Sequence, residues 1–386
     1  MDRLKERIAH FEELFGKAPT ALVYAPSRIN LIGEHLDYNG GHVLPCAIEL
    51  GTYALIAPSE SFDFVSLNME ERVRAKVEDL ATLPPKGWGA YPLGVGKRLE
   101  ELGTPVKGFC GLFWGEIPTG AGLSSSASLE VLTATIFAHL GGFDLDPLEK
   151  AHIGRWVENV HLGLNSGIMD QFAIAMGQKD TAFFLETVHE TYEPIPLDLQ
   201  GHALVVMYTG VSRQLVEGAY NDRFNACQEL LAQLREPFGI NALCELPLER
   251  LEEAMNLVED ATLRRRLRHV ITEESRVKEA VEALQGGDLL RFGHLLDGSH
   301  ASLSEDYEVS SRELDMITEL ARRHGGCLGA RMTGAGFAGC AIALVREDRL
   351  EDFLARIPLA YEKMSGHTPT FFVTKASHGP TTTPLS

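Results

Sequence analysis

Ile117–Gly142, IPTGAGLSSSASLEVLTATIFAHLGG, sets glycines and a run of serines at the mouth of an apolar helical pattern. Gly120 and Gly122 let the backbone pass close to a ligand, because neither carries a Cβ. Leu129, Leu132, Ile136, Phe137 and Leu140 then recur at helical spacing. A helix N-terminus presents unpaired N–H groups and the positive end of the peptide dipoles, and serine hydroxyls add donors or a magnesium ligand. A helix that only needs a cap requires one serine and one glycine. The stretch Gly120, Ala121, Gly122, Leu123, Ser124, Ser125 and Ser126 therefore reads as a phosphate-binding loop. It is not of the Walker type, since no GxxxxGK[ST] occurs in the chain.

Downstream, Pro147–Leu162 reads as a helix with Asp146 as cap, Pro147 at the first helical position and Glu149 completing a capping box. Glu158 lies late on it. Past a Gly163…Gly167 turn, Asp170 opens another apolar helix. Each carboxylate alone would pass for a solvated residue or a cap. Beside a phosphate loop, the two together read as one magnesium ligand and one catalytic carboxylate, which phosphoryl transfer needs.

Upstream, Ala25–Pro45 (APSRINLIGEHLDYNGGHVLP) crowds Arg28, Asn30, Glu34, His35, Asp37, Tyr38 and Asn39 into one turn-rich segment. A connector needs turn formers; so many hydrogen-bonding side chains suit a polyhydroxylated ligand better. A second glycine motif, Gly334, Gly336 and Gly339, matches the dinucleotide fingerprint GxGxxG. That fingerprint must open a helix, whereas here it runs into the strand-like CAIALV, so the loop is expected to be structural or to close over the site.

The remaining chain sorts into strands and helices. Val43–Ile48, Tyr53–Ala57, Phe62–Leu67, Val73–Val77 and Phe109–Trp114 read as strands, and TAFFLET and HETYEPIPL return to that character. HALVVMYTG is another strand, followed by a helix from Gln214 to Leu234. Residues 245–324 are mostly helical and highly charged, and their last helix starts with Ser310 and Glu313 as a capping box. The tail HGPTTTPLS is expected to fray. A division near residue 200, into 1–200 and 201–386, gives two α+β lobes.

Net charge is −19, from 35 Lys and Arg against 54 Asp and Glu, which argues against a nucleic-acid surface. No apolar run approaches transmembrane length and the N-terminal MDRLKERIAHFEELFGK is an amphipathic helix (Leu4, Ile8, Phe11, with Leu14 or Phe15) rather than a signal peptide. Cysteines 46, 110, 227, 244, 327 and 340 form no CxxC and suit reduced thiols in the cytoplasm.

The segment SRINLIGEHLDYNGG resembles the galactokinase signature, PTGAGLSSSASLE the ATP loop shared by the GHMP kinases, and GARMTGAGFAGC their third motif. The resemblance runs over essentially the whole chain, with the motifs in the family's order. It implies a two-lobed α+β fold, with an N-terminal lobe like the second domain of ribosomal protein S5 and a ferredoxin-like C-terminal lobe. It further implies a monomer that phosphorylates the anomeric hydroxyl of α-D-galactose with MgATP in the cleft between them. By the same resemblance Glu34, His35, Leu36 and Asp37 would contact the sugar, with Gly167 and Asp170 at its C1 end and Tyr220 beside it. Gly120–Ser126 would cradle the phosphates, Ser126 and Glu158 would hold Mg2+, and Arg28 would face the transferred phosphoryl group. Whether Asp170 acts as a general base, or positioning and charge neutralisation carry the transfer, is left open by the residues.

The chain departs from the family pattern at Leu36 (usually threonine), Ser166 (commonly cysteine) and Ala338 (glycine). Leu36 raises a kinase for N-acetylgalactosamine or arabinose as an alternative, while the retained Asn39-Gly40-Gly41 favours galactose. A galactose sensor without turnover is the reading from another class; it would call for a disrupted serine loop, and GLSSSAS is intact.

Overall fold

Helix α1 (Asp2–Phe15) lays Leu4, Ile8, Phe11, Leu14 and Phe15 onto Leu55, Leu112 and Trp114, the outer face of the first sheet. The computed structural model describes residues 2–118, 120–212 and 216–385. Strands β1 (Ala21–Asn30), β2 (His42–Val43), β3 (Pro45–Pro58), β4 (Ser61–Ser66) and β5 (Val73–Lys76) follow, then α2 (Ala90–Glu101) and β6 (Phe109–Gly115). Next come α3 (Ser125–Gly141), α4 (Pro147–Trp156), α5 (Met169–Met176), β7 (Thr181–Glu186), β8 (Thr191–Pro196) and β9 (His202–Tyr208). The rest of the chain forms α6 (Val216–Phe238), α7 (Leu251–Leu257), α8 (Ala261–Gln285), α9 (Leu289–Glu305), α10 (Arg312–Arg322), β10 (Cys327–Met332), β11 (Cys340–Arg346), α11 (Leu350–Ser365), β12 (Thr370–Thr374) and β13 (Thr381–Pro384).

Three sheets organise these elements, in the orders β13-β1-β3-β6-β4-β5, β10-β11-β9-β12 and β2-β7-β8. Helices α3 and α5 pack on β1 and β3, opposite the face that α1 covers. Buried side chains from the first and second sheets belong to one continuous core, which includes Ile29 and Ile56 at one end and Val206 and Ile342 at the other.

Several elements differ from the expectations. The two strands expected between residues 43 and 57 are largely one, β3, which stays paired with β1 across a bulge at Pro26/Ser27. The expected helix Pro147–Leu162 has its capping box, but α4 ends at Trp156 and the chain widens into a π turn, Val157–His161. Gln214, the expected start of α6, lies outside the described residues. The cap of α10 is Ser311, which accepts from Leu314 N, while Ser310 Oγ instead donates to Asp315 at 2.6 Å. The tail does not fray as expected: β13 adds itself to the edge of the first sheet by pairing with Ala21–Tyr24. Its side chains offer little apolar surface, and backbone hydrogen bonds to an open edge hold it.

Candidate active site

Strand β1 delivers Ser27, Arg28 and Asn30 to the centre of the molecule, where all three are buried. Beyond it, the loop Leu31–Gly41 is too polar to sit in a core unaided, and its backbone groups need partners. Helix α8 supplies them. Glu273 accepts from Gly33 N at 3.0 Å, Glu274 accepts from His42 N at 2.8 Å, and His269 Nε2 donates to Glu34 O at 3.2 Å. Burial pushes His269 down to about 4, so it stays neutral. Burial works to raise the Glu273 carboxyl, but Arg276 and Arg331 outweigh it and hold it at about 2. The chain turns at Gly33 with φ +103°, where a Cβ would lie 2.8 Å from His42 O; no larger residue fits.

The third motif closes the loop from the opposite side. Gly334, Gly336 and Gly339 all have positive φ and connect β10 to β11 as an antiparallel pair, so no helix follows and no dinucleotide-type helix start exists there. Thr333 Oγ1 accepts from Asn30 N and donates to Asn30 O, both at 3.1 Å. Gly334 N donates to Glu34 Oε1 at 2.6 Å. Arg331, wholly buried, donates to Leu31 O at 2.9 Å and stands 3.4 Å from Glu34 Oε1. Burial raises the Glu34 carboxyl, with Arg331, Asn30, Arg28 and Gly334 N opposing the rise.

At the phosphate-type loop, Gly120 and Gly122 have φ near +80°, and Ser124 itself adopts a left-handed conformation (φ 58°) before α3 begins. Ser27 Oγ donates to Leu123 O and fixes the loop to β1. Ser124 Oγ donates to Asp170 Oδ2, and Ser126 Oγ donates to Glu158 Oε1 at 3.1 Å. Glu158 is the second residue of the π turn, and burial raises its carboxyl. Asn159, next in that turn, accepts from Ser166 N and Oγ and donates to Ser166 O, each at 2.9 Å. This clasp brings the chain back so that α5 starts beside the serine loop. π turns are rare and cluster at functional sites.

Arg28 joins the two segments. Its Nε donates to Asp170 Oδ1 at 2.7 Å, its Nη2 to Oδ2 at 2.8 Å and its Nη1 to Gly122 O at 3.4 Å. Burial works against the charge on Arg28, but Asp170 outweighs it and its pKa is raised.

Around this pair a cavity is lined by Arg28, Glu34, His35, Asp37, Ser166, Gly167, Met169, Asp170, Tyr220, Gly334 and Ala335. Asp37 is pushed up to about 7, by burial first and then by the charges of Asp170 and Glu34. Gly167 lies so close to it that a Cβ would sit 2.0 Å from Asp37 Oδ2. Leu36 is fully buried in the core and is not among the lining residues. Ser125 and Ser126 border a second, apolar cavity with Met69, Trp88, Tyr91, Phe113, Ile117 and Leu129. Sequence reasoning missed that slot because its residues come from β4, α2, β6 and the loops between them. It also missed the anchors on α8. Pro92, Gly94 and Gly96 hid α2 itself, as such residues disfavour helix; there Gly94 lets Val157, and Gly96 lets Phe137, approach closely.

Family models for the N-terminal and the C-terminal domain of GHMP kinases match residues 90–178 and 280–363. A mevalonate kinase from Methanococcus jannaschii shares the fold at a TM-score of 0.69, covering 93% of this chain and 99% of its own at 20% identity. The fold is thus the two-lobed α+β fold of the GHMP kinases, with a lobe like domain 2 of ribosomal protein S5 followed by a ferredoxin-like one.

Within that class the likeness narrows. The galactose-binding signature of galactokinases matches residues 9–58. The galactokinase of Staphylococcus carnosus is 44% identical over 94% of this chain and 95% of its own. A crystal structure of Lactococcus lactis galactokinase complexed with galactose has a TM-score of 0.94 and 39% identity, covering 98% of this chain and 99% of that one. The chain belongs to the galactokinase family.

Proposed function

We propose that the protein transfers the γ-phosphoryl group of ATP to the anomeric hydroxyl of α-D-galactose, giving galactose 1-phosphate. The observation that carries this reading is the Arg28–Asp170 pair, set between a cavity rich in hydrogen-bonding groups and the glycine–serine loop. Glu34, His35, Asp37, Gly167 and Tyr220 are the sugar contacts, and each unpaired buried partner would cost about 1–3 kcal/mol, which is what discriminates between epimers. Leu36 acts on specificity only through the packing beneath the loop.

Gly120–Ser126 cradles the phosphates, and the apolar slot at Trp88 and Tyr91 takes the adenine. Ser126 and Glu158 suit Mg2+, which prefers hard oxygen ligands and is held by one or two protein groups together with substrate phosphates. Bound there, the ion neutralises charge on the phosphate oxygens. Asp170 accepts two bonds from Arg28 and one from Ser124, two of the three on Oδ2. Oδ1 therefore keeps room to receive the C1 hydroxyl proton, and Arg28 stabilises charge on the transferring group.

The same reading divides the chain near residue 200, with β13 returning to the first lobe, and has the protein act as a monomer in the cytoplasm. Its cysteines, none of them in a disulfide among the described residues, fit a reducing compartment. No helix among the described residues is long and apolar enough to cross a membrane.

ADP release from MgATP, measured with galactose, N-acetylgalactosamine, arabinose and glucose beside an Asp170→Asn variant, tests the proposal. Galactose-dependent turnover that collapses in the variant supports it. Tight galactose binding without turnover would make the protein a sensor and overturn it.

A further inference from the structure

His35 is one end of a hydrogen-bond chain that leaves the cavity. Its Nε2 lies 3.2 Å from Ala335 O, and its Nδ1 lies 2.8 Å from Tyr38 Oη. Tyr38 Oη is 2.8 Å from Tyr307 Oη, which is 3.2 Å from Cys227 Sγ. A carbonyl oxygen only accepts, so the proton of a neutral His35 sits on Nε2 and Nδ1 is the acceptor. The direction of every further bond then follows. Tyr38 donates to His35, Tyr307 donates to Tyr38, and Cys227 donates to Tyr307.

The chain ends on α6, the helix that carries Tyr220 into the cavity. Tyr220, Phe224 and Cys227 fall on one face of that helix, at i, i+4 and i+7. The first two rings lie 5.6 Å from the ring of Tyr38. Tyr307 is itself anchored: it is fully buried, and Arg223 of α6 donates to its carbonyl at 2.8 Å and to Glu308 O at 2.8 Å. His35 stands at φ +65°, a conformation that costs a non-glycine residue energy and that the surroundings must hold.

We propose that Tyr307, which lies outside the cavity lining, is a positioning residue of the sugar site: through Tyr38 its hydroxyl fixes the tautomer and ring orientation of His35 and ties both to the seating of α6. The inference rests on the reading of His35 as a sugar contact.

The test uses Tyr307→Phe, Tyr38→Phe and the double variant. Tyr307→Phe raises the KM for galactose about five- to tenfold, the size of one lost buried hydrogen bond, and leaves kcat and the KM for ATP within about twofold. Tyr38→Phe has at least the same effect, and the double variant is no worse than Tyr38→Phe, because the Tyr307 hydroxyl acts only through Tyr38, while its ring, 4.9 Å from that of His35, is kept in Tyr307→Phe. In 15N-histidine spectra, with His35 assigned by its loss in His35→Asn, the wild type shows the Nε2–H tautomer and Tyr307→Phe a mixture. Additive effects, an unchanged KM for galactose, or an equal loss for both substrates with a lowered melting temperature would overturn the inference. If the wild type does not turn over or bind galactose, the sugar-site reading fails instead, and the tautomer measurement still decides this one.

Discussion

Arg28 grips Asp170 through two parallel hydrogen bonds, Nε to Oδ1 at 2.7 Å and Nη2 to Oδ2 at 2.8 Å. A lysine cannot reproduce that planar fork, and its compact charge could neither hold both oxygens nor span to Gly122. Arg28→Lys is expected to lower kcat by about 10²–10³-fold while the KM for ATP changes little. Steady-state kinetics on a variant with an unchanged unfolding midpoint checks this. A kcat within tenfold of wild type would remove Arg28 from the transition state.

Asp37, held at about 7 by burial and by the neighbouring charges of Asp170 and Glu34, gives stability a pH dependence with a definite sign. Between roughly pH 4 and 7 the unfolded chain has lost this proton and the folded one keeps it, so the folded state binds more protons and stability falls as pH rises. Above about 7 the cost is constant. Asp37→Asn cannot ionise, so its melting temperature relative to wild type should climb from pH 4 to 7 and then level off. A flat difference across that window would show that the Asp37 carboxyl is not raised.

Gly167 faces Asp37 with no space for a side chain; a Cβ would stand 2.0 Å from Oδ2 and 2.6 Å from Cγ. Because more than the tip of Asp37 would have to move, Gly167→Ala is expected to raise the KM for galactose by about tenfold or more and leave the KM for ATP near wild type. Calorimetric titration of both ligands distinguishes this from a general loss of folding.

Arg331 is buried without solvent contact, and its partner Glu34 is 1% exposed. Removing one member of a buried pair strands the other charge, so Arg331→Met should destabilise the protein by about 3–5 kcal/mol in urea unfolding. Adding Glu34→Gln removes the stranded charge and should recover part of the loss. No recovery in the double variant would mean that the carbonyl contacts of Arg331, not its charge, hold the loop.

What could be read from the sequence was local. The polar crowd in Ala25–Pro45 and the serine run before α3 announce ligands because their density exceeds what a turn or a cap requires. The anchors of the same loop could not be read. Residues 245–324 read as highly charged helices, yet His269, Glu273 and Glu274 of α8 are buried against a loop more than 200 positions earlier. A charged helix gives the same periodicity whether its polar stripe meets water or a polar loop. The π turn at Val157–His161 was hidden for a related reason, since one extra residue in a turn leaves no compositional mark. The Thr-rich tail pairs through its backbone, which pattern reading does not see.

That tail has a consequence for truncated forms of the chain. β1, which carries Arg28, is flanked by β3 on one side and by β13 on the other, and Leu385 N closes on Thr20 O at 2.9 Å. A chain cut before Thr381 keeps the other strands of that sheet but leaves the β1 edge at Ala21–Tyr24 open. Such chains would present that edge to one another, so β13 acts as a seal against strand exchange.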